Sequence, residues 1–239
     1  MTLRTRTDIA SAGVESLPGA KSSGGGAGVS PSLWSEWRSD ARLYASLRYP
    51  RGSGALRRWL LWFHSPGLFT LALHRANYRS RIAAQQGGSV WTSMPVKALL
   101  MLGRVVRTVW AKSDVNEITL IESGVYLSDQ GFLILGPRRI GSGTVIHHRV
   151  LVGVQAGAGS NSRPSIDENV WIGPDCVIYG DVRLGPGVTV LPGTVLSMNV
   201  PANCVVGGNP GTIVGRNFDN TAMRKTLATT VSRDSIVSQ

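Results

Sequence analysis

Only two cysteines, Cys176 and Cys204, occur among the 239 residues, too few for a disulfide framework to carry the fold. A reducing, cytoplasmic compartment is the simpler expectation, with the inner face of a membrane included. The first thirty residues lack a charged start followed by an apolar run and a small-residue cleavage site, so no secretory signal is expected there. Long apolar runs are missing as well. The segment 55–72 contains Leu56, Trp59, Leu60, Leu61, Trp62 and Phe63 but is broken by Ser65, Pro66 and Gly67. Neither half approaches the roughly 20 apolar residues that a bilayer span requires. Histidine is scarce, at four residues, and only His147 and His148 fall in the C-terminal half. Two adjacent imidazoles cannot supply a catalytic zinc held by three histidines, and no metal is expected.

Acidic residues are short in the first half. Residues 1–115 carry sixteen Lys plus Arg against five Asp plus Glu, and residues 116–239 carry nine against nine, so the whole formal excess of +11 precedes residue 116. Such asymmetry suits an anionic partner. A peripheral contact with an anionic membrane through residues 32–112 is one expectation, and nucleic acid is not favoured. Solvated Arg on the backs of helices is the alternative.

Four regions follow from composition and spacing. Residues 1–31 are rich in Ser, Gly and Ala and should be disordered. Residues 32–115 show helical spacing. Ser32 can cap a helix whose apolar side includes Leu43, Tyr44 and Leu47, with Asp40 and Arg42 on its wet side. A further helix is expected over 94–110, where Val96, Leu99, Leu100, Leu102, Val105, Val106 and Val109 alternate with Lys97, Arg104 and Arg107. Its apolar side either packs within a helical bundle or rests on an anionic membrane. His64 and His74 read as packing or surface residues. Residues 116–216 form a repeat domain, and 217–239 a polar tail.

The repeat decides the fold. From Ile140 an aliphatic residue recurs every six positions: Ile140, Ile146 and Val152, then, after an interruption, Ile166, Ile172, Ile178, Leu184, Val190 and Leu196. Four residues after these stand Thr144, Val150, Val170, Cys176, Val182, Val188, Thr194 and Val200. Six residues is neither one nor two turns of an α-helix, so a helix would scatter these side chains around its axis. A parallel β-helix gathers them: each hexad makes one face of a triangular coil, the aliphatic residue points inward, and a Gly such as Gly173 relieves the corner. Ile121 and Leu127 begin the pattern. The expected fold is mainly β, a parallel β-helix preceded by α-helices.

These residues resemble the hexapeptide-repeat acyltransferase superfamily. The stretch from Pro164 to Gly215, closing on Gly208, Asn209, Pro210 and Gly211, is similar to that superfamily's last coils. Serine acetyltransferases and O-acetyltransferases of polysaccharide biosynthesis are the nearest likeness. The resemblance implies a left-handed parallel β-helix, acetyl-CoA as acyl donor, a small-molecule or glycan hydroxyl as acceptor, and a homotrimer with its sites between neighbouring β-helices. By position it offers Gly173, Pro174, Pro192, Gly193, Ser197, Met198, Asn209 and Pro210 as contacts for the donor.

Acyl transfer to a hydroxyl needs a base, and imidazole suits neutral pH. Here the chain departs from its likeness. Where serine acetyltransferases have Asp-His-Ala-Thr, this chain has Ser128, Asp129, Gln130 and Gly131, and where they carry a second His before a Pro, it has Arg163 before Pro164. His147 and His148 are the remaining candidates. If Leu127 and Ile146 open one face in successive coils, with 137–139 absorbing an irregular count, Asp129 would stack against His148 and orient it as the base. The vacant positions and the basic N-terminal half point to a sugar hydroxyl of surface or exopolysaccharide synthesis as acceptor. Serine O-acetylation and a non-catalytic trimeric scaffold are the alternatives.

Overall fold

A computed structural model describes residues 32–48, 60–62, 64–85, 94–154 and 162–230, apart from the side chains of Arg48, Lys97 and 226–230. The segment 1–31 and most of the interrupting loop, 155–161, lie outside these residues.

The six-residue period becomes three parallel sheets around one axis. The first stacks β1 (Asp114–Val115), β4 (Ile134–Leu135), β7 (Leu151–Gly153), β10 (Val177–Tyr179) and β13 (Val195–Leu196). The second stacks β2 (Leu120–Ile121), β5 (Arg139–Ile140), β8 (Ser165–Ile166) and β11 (Arg183–Leu184). The third stacks β3 (Tyr126–Leu127), β6 (Val145–Ile146), β9 (Trp171–Ile172), β12 (Thr189–Val190) and β14 (Val205–Gly207), and closes with β15 (Thr212–Gly215) antiparallel to β14. All nine hexad aliphatics are fully buried, and so are the eight residues that follow them four positions later. The coil begins earlier than Ile121, at Asp114, and its last strand folds back as a hairpin.

The corners correct one expectation about glycine. Gly173 follows its aliphatic residue but does not have a left-handed backbone. It is small because a Cβ there would stand 2.8 Å from the backbone N of Pro192 in the next coil. The left-handed residues come two positions later, among them Asp175 at φ 61° and Gly193 at φ 71°.

The three outer faces differ. The second sheet carries an ion-pair ladder in which Arg139 meets Glu122, Asp167 and Glu168, and Arg183 meets Asp167. The third sheet has a buried outer face, with Val145, Trp171 and Thr189 removed from solvent. The first sheet leaves Ile134 and Leu151 exposed, with the half-buried Val177 and Val195 in line with them.

Helices dock on the first coil. Helix α1 (Leu33–Arg48) starts at Ser32, whose Oγ accepts the Ser35 N–H at 3.2 Å, as a capping serine should. Helix α2 (Pro66–Gln85) follows the Ser65, Pro66, Gly67 break, which is its N-terminus: the Ser65 carbonyl accepts the Phe69 N–H at 3.0 Å, and Pro66 opens the first turn. Helix α3 (Met94–Val106) runs on into a π-turn, Arg107–Ala111. Asp40 corrects the sequence reading. It faces inward at 1% exposure, paired with Arg75 at 2.7 Å, because Arg75 of α2 supplies a counter-charge at the α1 seam that spacing within α1 cannot reveal. His74 is buried and bonds the Thr119 carbonyl at 2.9 Å, and His64 is exposed, as expected of packing and surface residues. Within the span read as a polar tail, Thr221–Thr230 form α4. This helix is held by the buried Asn220, whose amide bonds the Asn169 carbonyl at 2.9 Å, and it packs on α1.

Candidate functional site

The site is built along one edge of the β-helix, the corner leading from the third sheet to the first. Leu127 and Ile146 pair in register, as the sequence reading required. The irregular count falls in two places. Leu127 to Leu135 spans eight residues instead of six, and Leu135 to Ile140 spans five. The two extra residues lie in the corner that holds Asp129, closed by Gly131 at φ 72° and Phe132 at φ 57°.

That insertion shifts the stacking. The Asp175 N–H reaches the His148 carbonyl at 3.2 Å, and the Gly193 N–H reaches the Pro174 carbonyl at 2.9 Å. The Arg149 N–H, in the same sense, reaches the Gly131 carbonyl at 3.3 Å. Gly131, rather than Asp129, therefore takes the place beside His148, and Asp129 is carried outward toward the helices. Its Oδ1 accepts the Ser65 hydroxyl and, at 3.2 Å, the Gly67 N–H, so the carboxylate sits at the positive end of α2. The approach is tight. A Cβ on Gly67 would stand 2.1 Å from the Leu127 carbonyl oxygen, while the buried Tyr44 hydroxyl donates to that same oxygen at 2.7 Å. Burial pushes the Tyr44 hydroxyl well above its ordinary range, with the Asp129 charge adding to the effect. Removing the side chain in Asp129→Ala should cost about 1–2 kcal/mol of stability, as loss of a helix cap does. Chemical denaturation measures it, and a loss of catalytic turnover at unchanged stability would instead restore Asp129 to the chemistry.

The two histidines diverge. His147 turns its ring edge against Trp171, centroids 4.9 Å apart, and its Nε2 is buried without a hydrogen-bond partner among the described residues. Burial, assisted by the charge of His148, pushes its pKa down to about 4. His148 is half-buried and stands next to Arg149, which forms an exposed ion pair with Asp175. The Asp175 carboxyl is held below its ordinary range, first by the Arg149 hydrogen bond and also by the charge of His148. Asp175 was missed because sequence spacing makes it one more corner residue, whereas coil stacking sets it beside His148. A cleft of about 390 Å³ opens at this corner, lined by Phe132, Ile134, Arg149, Val150 and Leu151.

The expected donor contacts divide. Pro174, Pro192, Gly193, Asn209 and Pro210 lie along the same corner column as His148, extended by the Val195 N–H bonding the Gly208 carbonyl at 3.1 Å. Ser197 and Met198 are exposed at the next corner, leading to the second sheet, and Gly173 is buried beneath Pro192. Both cysteines are free and buried, and burial pushes the Cys176 thiol up to about 11, out of nucleophilic range.

Comparison with known proteins agrees with the repeat. The family model described as bacterial transferase hexapeptide (six repeats) matches residues 163–197. Serine acetyltransferase 2 of Arabidopsis thaliana is 26% identical over 143 residues, which is 59% of this chain and 44% of that protein. The chain spans less than half the length of the curated relatives it matches first. Among solved structures, serine acetyltransferase of Neisseria gonorrhoeae superposes with a TM-score of 0.64 at 20% identity, covering 78% of this chain and 68% of that one. Serine acetyltransferase of Brucella abortus strain S19 in complex with coenzyme A gives 0.62 at 22%, covering 77% and 68%. Repeat, coil and relatives together place the resemblance within the hexapeptide-repeat acyltransferase superfamily, near serine acetyltransferase, with the left-handed parallel β-helix and N-terminal helices expected of it.

Proposed function

We propose that this chain is an acyl-CoA-dependent O-acetyltransferase that uses His148 as its general base. The observation that carries the reading is the corner column. It gathers His148, Asp175, Pro174, Pro192, Gly193 and the Asn209–Pro210 turn on one edge, beside a cleft and next to the uncovered apolar strip of the first sheet. Acetyl-CoA is the donor, which the relatives' activity and the coenzyme A complex of the Brucella enzyme support. The apolar strip led by Ile134 and Leu151 supports assembly into a trimer, with the corner site between neighbouring copies.

For the acceptor, the relatives support L-serine better than a sugar hydroxyl. The expectation of polysaccharide synthesis rested on vacant histidine positions and on charge, neither of which recognises a sugar. The residues at those positions, Asp129 and Arg163, still distinguish this chain from the enzymes it resembles. A thiol-release assay on the pure protein with acetyl-CoA, against L-serine and a panel of nucleotide- and lipid-linked sugars, tests the reading. Turnover with serine is the expected result, turnover only with a sugar restores the polysaccharide reading, and no turnover with any acceptor favours a trimeric scaffold.

A further inference from the structure

Among the described residues, a run of large exposed apolar side chains lies on α3 and its π-turn. Their inner side is accounted for: Gly103 lies against Leu73, where a Cβ would come within 2.8 Å of the Leu73 side chain, and Arg107 is buried at 3% exposure against Asp114. The outer side is apolar and bare. Met94, Leu99, Met101, Leu102, Val105 and Val109 all face solvent, with Met101 at 70% and Val109 at 72% exposure. Residues 94–111 make a strip about 27 Å long at helical rise. An apolar patch of that extent marks a surface that something covers.

The surrounding charge identifies the partner. Residues 94–112, which take in α3 and its π-turn, carry Lys97, Arg104, Arg107 and Lys112 and no Asp or Glu. The carboxylates that reach the edge of α3 come from the β-helix and are already engaged: Glu117 by Arg81 and Arg104, Asp114 by Arg107. A second copy meeting this face with its own would set cations against cations. An anionic lipid surface meets it with opposite charge while accepting the apolar side chains. The rim fits the same partner, since Trp110 is part-exposed and Lys112 lies over the exposed Phe132 ring at 5.3 Å. Aromatic and basic side chains of this kind sit at the headgroup level of helices lying in the membrane interface. No helix among the described residues is long and apolar enough to cross a membrane, so the contact is one of resting on the surface.

We propose that the outer face of α3 and the π-turn is a docking surface for anionic membrane lipid. It is independent of the acyl-transfer reading. The test is co-flotation of the full chain with vesicles of phosphatidylcholine containing about a third phosphatidylglycerol, against phosphatidylcholine alone. Binding to the anionic vesicles only, weakening as salt is raised, is expected. The double variant Leu102→Asp with Val105→Asp should weaken partitioning at least about tenfold while leaving thiol release and the light-scattering mass unchanged. Equal binding to both vesicles, or none, overturns the proposal. A variant that alters the mass of the assembly also overturns it and makes the strip an interface between copies.

Discussion

Asp40→Ala is expected to destabilise the fold by about 3–5 kcal/mol, the cost of leaving a buried charge without its partner. The Asp40 carboxylate receives Arg75 through Nε at 2.7 Å and Nη2 at 3.2 Å, and its Oδ1 also takes the Gly124 N–H at 3.1 Å. Burial raises its pKa above the ordinary carboxylate value, and the Arg75 charge only partly offsets this. Arg75 is 4% exposed and spends its remaining donors on the carbonyls of Ile121 at 2.9 Å and Glu122 at 2.8 Å. It therefore ties α1 and α2 to the first coil, and without Asp40 its positive charge stays in place with only the more distant Glu36 carboxylate, 3.9 Å away, as counter-ion. Replacing both residues with apolar side chains, as in Asp40→Leu with Arg75→Met, should recover most of the loss. Chemical denaturation of the two variants beside the parent decides the matter. A single variant that loses less than about 1 kcal/mol would show that water or a neighbouring carboxylate such as Glu36, 3.9 Å from Arg75, takes over the pairing.

Asp40 also marks how far the sequence could be read. A period of six needs only neighbours along the chain, so the inward ladder from Ile140 to Leu196 was legible residue by residue, and each of those side chains is buried. The helix start at Ser32 was legible for the same local reason, whereas Ser65 to Gly67 read only as a break and proved to be the start of α2. Asp40 was not, because its burial is decided by an arginine 35 positions away. Asp129 failed in a related way. Counting from Leu127 assumed a regular corner, and two additional residues, invisible to a count that treats 137–139 as the irregular stretch, rotate it from His148 to the start of α2. The outer strip of α3 was legible as apolar, but only packing could decide between a helical bundle and an exposed face.

The same stacking that removes Asp129 strengthens the assignment of the base. A hydroxyl acceptor must reach an imidazole nitrogen, and His147 offers one that is buried against Trp171 and has its pKa pushed down to about 4. An imidazole so weakened accepts a proton poorly at neutral pH, since general-base efficiency falls as its pKa drops away from the working pH. His148 stands half-exposed in the chain beside Arg149, one of the residues that line the cleft, with the Asp175 carboxylate near enough to feel its charge. Loss of a general base costs about 10²- to 10⁴-fold in rate. His148→Ala is therefore expected to lose at least about a hundredfold in acetyl-CoA thiol release, with denaturation midpoint and assembly mass unchanged. Asp175→Asn should lose less, because Arg149 remains to hold the corner and only the field around the imidazole changes. His147→Ala should lower stability through its contact with Trp171 more than it lowers turnover. Full activity in His148→Ala beside an inactive but folded His147→Ala would move the base by one residue, and full activity in both would place it outside this corner.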